Sequence, residues 1–83
     1  MKVLVVRPME LPAVQEIDHT LSAMQKLVGG TIQAVYPFDD PVALVCNDEG
    51  KLLGLPWNRA LTDDHGVPYD IVCGTFFVAG LKE

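Results

Sequence analysis

Cysteine is scarce in this chain: Cys46 and Cys73 are the two it has, and no Cys-x-x-Cys pair occurs. Two thiols do not make a disulfide framework, and His19 and His65 stand at no metal-ligand spacing from either. Both cysteines lie within apolar β-like runs, so they are expected to be reduced, buried thiols that pack as small hydrophobes. Basic residues are few as well, six against eleven acidic ones, for a net charge of −5. Lys2, Arg7, Lys26, Lys51, Arg59 and Lys82 are scattered rather than clustered. A protein that holds phosphates needs a basic stripe, so direct binding to nucleic acid is not expected. No apolar run approaches the ~20 residues of a membrane helix, and no membrane association is expected. The opening Met1-Lys2-Val3-Leu4-Val5-Val6 superficially resembles a signal peptide, but Arg7, Pro8 and Glu10 interrupt it. A cytoplasmic location is therefore expected.

Catalytic signatures are missing too. The chain has no Gly-rich phosphate loop, no Gly-x-Ser-x-Gly elbow and no His-Glu-x-x-His pair. No cofactor and no metal is expected. What the chain does have is 49 % hydrophobic and 20 % charged residues over 83 positions, the balance of a folded globule with one core. A single α+β domain over residues 1–83 is the expectation.

The pattern along the chain fills in that domain. Residues 2–7 read as a strand whose continuous apolar run suits burial on both faces. Val14–Ile17 alternate and read as a second strand, in a hairpin with the first. Asp18 or Thr20 can cap a helix in which Leu21, Met24, Leu27 and Val28 form one apolar stripe. Gly29 is placed to take the left-handed conformation that closes it, and Gly30 releases the chain. Because this Gly-Gly-Thr follows a helix and does not open one, it is a cap and not a phosphate cradle.

Ile32–Tyr36 and Val42–Cys46 read as the third and fourth strands, with an Asn47–Gly50 turn leading into a short return strand at Lys51–Leu53. Gly54–Leu61 reads as irregular, with room for one helical turn at Asn58–Leu61, and Thr62–Tyr69 as a polar loop. Asp70–Ala79 reads as the last strand, interrupted by Gly74 where a bulge or a close backbone approach is expected. Gly80–Glu83 is a tail. The expected architecture is a small curved, mostly antiparallel or mixed sheet of five to six short strands, with one short helix packed on one face.

Three groups of residues invite a functional reading. Asp39-Asp40, between Pro37 and Pro41, can ligate a metal or serve as acid and base, though paired carboxylates on a turn more often form an Asx-turn. Trp57-Asn58-Arg59 can bind a phosphate, a carboxylate or a flat base, with Tyr36 completing the pocket. Structure claims the same residues: Asn58 can cap a turn, Arg59 can pair with Asp39, Asp40, Asp63 or Asp64, and Trp57 can cover a core edge. His65, beside Asp63 and Asp64, can shuttle protons, but no nucleophile is placed for it.

Tyr36-Pro37-Phe38-Asp39-Asp40-Pro41-Val42-Ala43-Leu44-Val45, then Gly50-Lys51, Leu55-Pro56, Asn58-Arg59-Ala60-Leu61, and Ile71 with Gly74-Thr75-Phe76-Phe77, resemble a family of small uncharacterised bacterial and phage proteins. The family is known only as a domain of unknown function, common in gut Firmicutes and their mobile elements. The resemblance implies a compact accessory protein encoded on mobile DNA and brings no activity, cofactor or catalytic residue. A non-enzymatic protein-interaction module is the leading expectation, its partner unspecified. The alternatives are a small-ligand binder for a nucleotide or other anion, with its site at an oligomer interface, and an enzyme using His65 or Asp39-Asp40. Apolar surface at Trp57, Phe76, Phe77, Val78 and Leu81, together with open sheet edges, makes a homodimer a further expectation.

Overall fold

A computed structural model describes residues 1–81. The order of elements is β1 (Lys2–Val6), β2 (Ala13–Glu16), α1 (Leu21–Val28), β3 (Ile32–Val35), β4 (Val42–Asn47), β5 (Trp57–Thr62), β6 (Pro68–Cys73) and β7 (Phe76–Gly80). Five strands form one sheet in the order β2-β1-β7-β4-β3, and β5 and β6 form a separate two-stranded ribbon. Every neighbouring pair is antiparallel. The chain is a small α+β fold, with seven strands among the described residues where five to six were expected, in two sheets instead of one.

The continuous apolar strands follow from what covers the sheet. Successive side chains of a strand point to opposite faces. On one face, Val3 and Val5 of β1, Ala43 and Val45 of β4 and Phe77 of β7 pack with Val28, Met24 and Leu27 of α1. On the other, Val6, Leu44, Cys46 and Phe76 pack with Val72 and Leu61 of the ribbon. β4, and β7 at Phe76 and Phe77, are thus buried on both sides, between a helix and a ribbon. β1 is buried on its helix side, but on its other face only Val6 is covered and Leu4 lies exposed, short of the burial on both faces expected for it. Phe77, fully buried at 0 % exposure, belongs to the helix-side cluster and Phe76 is buried on the ribbon side, so neither supplies the apolar surface expected of it; Trp57 and Leu81 are the exposed ones.

The helix starts and stops where the residues indicated. Thr20 Oγ1 accepts the amide of Ala23 at 3.1 Å, which makes Thr20 and not Asp18 the cap. Gly29 takes φ 81°, and its amide donates to the carbonyl of Gln25 at 2.8 Å. Leu21, counted in the apolar stripe, lies exposed at the first turn.

Three expectations are corrected. Lys51–Leu53 forms no return strand, because the backbone from Asn47 to Leu55 bonds to itself. Leu53 donates to Glu49, Gly54 to Lys51 and Leu55 to Gly50, leaving no ladder. Gly54–Leu61 is not irregular beyond Pro56, nor is Asn58–Leu61 a helical turn: β5 pairs with β6 from Trp57 to Thr62. The register shifts between Trp57 and Arg59, so Asn58 is the extra residue of a β-bulge, and the bulge broke the alternation that would have revealed the strand. Asp70–Ala79 is two strands. At Gly74, with φ 86°, the chain leaves the ribbon and enters the centre of the large sheet. A Cβ there would stand 2.7 Å from Leu55 Cδ1, so the close approach expected at this glycine is present. Of the expected tail, Gly80 closes β7, and Lys82 and Glu83 lie outside the described residues.

Candidate functional site

The ribbon covers the sheet only in part, and the uncovered part is a cleft of about 330 Å³. Its floor is the ribbon-facing side of β3 and β4, where Gln33 lies opposite Cys46. Leu61, Asp70 and Val72 of the ribbon form the wall, and the turn at Asp48–Leu52 closes one end. A second cleft, about 350 Å³, opens on the outer side of the ribbon. Val72 faces the core, so its neighbour Ile71 faces outward together with Tyr69, and Trp57 joins them from β5. Trp57 is 75 % exposed and Tyr69 59 %.

One ion pair stands where the clefts meet. Lys51, from the turn, donates to Asp70 Oδ1, and both residues line both clefts. The amide of Ile71 adds a bond to the same oxygen at 2.8 Å. The bond from Lys51, then that from the Ile71 amide, holds the Asp70 carboxyl below its ordinary range. Asp70 in turn raises Lys51. In the cleft floor, burial pushes the Cys46 thiol up, and the nearby carboxylates of Asp48 and Asp70 push it further. The thiol donates weakly to the carbonyl of Gln33, at 3.7 Å. Cys46 and Cys73 are both free and buried, as their apolar surroundings indicated.

Behind the outer cleft lies a clamp. The Nδ2 of Asn58 donates to the carbonyls of Val6 and Gly74, at 2.8 Å each. Its Oδ1 accepts from Arg59 at 2.9 Å. Arg59 also donates to the carbonyls of Asn58 and Glu10, at 2.9 Å each. Two side chains thereby tie the ribbon to the end of β1, to the loop after β1 and to the β6–β7 junction.

A family model for a domain of unknown function, DUF3846, matches residues 1–83. The chain belongs to the DUF3846 family. No curated protein and no solved structure matches it.

In this DUF3846 chain the residues singled out by sequence are only partly gathered. Trp57 lines the outer cleft, next to the Asn58-Arg59 clamp. Tyr36, Asp39 and Asp40 lie exposed around the β3–β4 connection and line neither cleft. Arg59 meets backbone carbonyls and Asn58, and among the described residues it forms no ion pair with Asp39, Asp40, Asp63 or Asp64. His65 sits in the tight β5–β6 turn, where Asp63 Oδ1 accepts the amides of His65 and Val67 at 2.9 and 3.0 Å. Among the described residues, no group of three or more His, Cys, Asp or Glu side chains is arranged to hold a metal ion. No helix among them is long and apolar enough to cross a membrane.

Sequence reading missed Tyr69, Ile71 and the Lys51–Asp70 pair. Tyr69 and Ile71 stand two apart, the spacing of one strand face, and that signal was present. It is masked because Tyr69 follows Gly66-Val67-Pro68, which reads as loop.

Proposed function

We propose that this protein is a non-enzymatic interaction module that engages a protein partner through the outer face of the β5–β6 ribbon. The observation that carries this reading is Trp57, three-quarters open to solvent at the start of β5, beside exposed Tyr69 and a cleft of about 350 Å³. Tryptophan and tyrosine are the side chains that most often dominate binding energy at protein interfaces. A rigid two-stranded platform presents them at little cost in entropy, because the Asn58-Arg59 clamp fixes the ribbon to the sheet. Such a role suits an acidic cytoplasmic accessory protein, of the kind the family resemblance implies for mobile DNA.

An anionic ligand is the weaker reading. Asp48, Glu49 and Asp70 surround the interlayer cleft against the single ammonium of Lys51, and Arg59 is already engaged with oxygen acceptors.

A photoreactive side chain placed at position 57 tests the proposal, with one at exposed Ser22 on α1 as control. Cross-linking in cells followed by mass spectrometry is expected to join one protein at position 57 and none at 22. Binding of that protein, purified, is expected to be lost in the W57A/Y69A double variant. Equal labelling from both positions, or full binding by the double variant, overturns the proposal. A cross-link to a second copy of this chain assigns the face to a homodimer instead.

A further inference from the structure

We propose that the segment received by the two clefts is basic: a stretch of the partner in which lysine or arginine alternates with apolar residues. This rests on the interaction reading above and names the chemistry of its partner. The ground for it is charge complementarity. The outer cleft is lined by Trp57, Tyr69 and Ile71 and also by Asp70. An aromatic face beside a carboxylate favours a cation, which gains from the ring and from the charge together. Beyond Asp70 the interlayer cleft continues the pattern, with apolar Val35 and Val72 below and the exposed carboxylates of Asp48 and Glu49 at the turn. The chain as a whole carries −5, so long-range attraction acts in the same direction.

The fold already places one ammonium in this position. Lys51 lies against Asp70 at the junction of the clefts. It does so as an exposed side chain in a surface pair, which is weak and easily displaced. Lys51 is therefore an internal competitor for the site of the partner's cation. Removing its charge is expected to strengthen the binding of a basic segment, whereas it would weaken the binding of an acidic one. The sign of this single effect separates the two chemistries.

The test uses the full chain and an array of decapeptides randomised at alternate apolar positions, with Lys, Gln or Glu fixed at the others. The tightest binder is then titrated in solution against the emission of Trp57, the chain's single tryptophan. The Lys set is expected to bind above the Gln set, and the Glu set not at all, with affinity falling as salt rises. K51Q is expected to tighten the Lys peptide, and D70N to loosen it, each by roughly two- to fivefold. Preference for the Glu set, or weaker binding by K51Q, overturns the basic assignment. Equal binding of all three sets with a Trp57 response also overturns it while leaving the interaction face standing. Binding by none of the sets overturns both.

Discussion

Asn58 reaches across 52 positions of chain to donate its side-chain amide to the carbonyl of Val6, at 2.8 Å. The same nitrogen serves Gly74, where the chain passes from ribbon to sheet. A bulge residue on β5 is therefore the fastening between the two sheets, and it holds the platform on which Trp57 is displayed.

Replacing it with alanine leaves two carbonyls without that donor in a partly buried site. N58A is expected to lower unfolding stability by about 2–3 kcal/mol, read as a lower urea midpoint. N58D keeps the size but replaces the donor with a charged acceptor facing two carbonyls, and is expected to cost at least as much. A midpoint unchanged in both variants would show the fastening to be idle.

Gly74 takes φ 86° with Leu55 pressed against the place of its missing Cβ. G74A is expected to destabilise by about 1–3 kcal/mol, from left-handed strain and crowding acting together. L55A/G74A, with the crowding relieved, is expected to show a sub-additive loss in the same urea assay.

The Lys51–Asp70 pair gives a pH signature. The Asp70 pKa is depressed below the ordinary 3.8, so the stabilisation it brings is full above that value and is lost as pH falls through the depressed one. The Lys51 pKa is raised above the ordinary 10.5, so its share is full below that and is lost as pH rises through the raised value. Because both side chains are exposed, the effect is small. The midpoint difference between wild type and D70N is expected to be constant through neutral pH and to close below 3.8 and above 10.5. A difference that peaks at either extreme contradicts the pairing.

Cys46 lies in the cleft floor with its pKa raised by burial and by nearby carboxylates, so at neutral pH it stays a thiol and not the reactive thiolate. Alkylation of Cys46 in the native protein is expected to be much slower than in urea, and slower still once a peptide fills the interlayer cleft. Fast native labelling at neutral pH would contradict the burial.

What the sequence disclosed, it disclosed through local chemistry. Thr20, Gly29 and the spacing of Met24, Leu27 and Val28 define α1 within a residue. The unbroken apolar run of β4 announced burial on both faces, while that of β1 overstated it, since Leu4 is exposed. What stayed hidden depends on distant partners. β5 was obscured because Asn58 and Arg59, polar residues on a strand, reach distant acceptors at Val6, Gly74 and Glu10. β6 and β7 looked like one strand because nothing local says that Gly74 changes sheets. The site was legible at Trp57 but not at Lys51 and Asp70, which pair across 19 positions through a turn that looked like a strand.

Trp57 emission, followed as the partner cross-linked at position 57 is titrated in, tests the interaction face most directly. The free protein is expected to emit as a water-exposed indole, since three-quarters of the side chain is open. With the partner, a saturable blue shift is expected, lost in Y69A while that variant keeps the wild-type urea midpoint. Partner binding that saturates with no change in Trp57 emission would place the interface elsewhere and contradict the account.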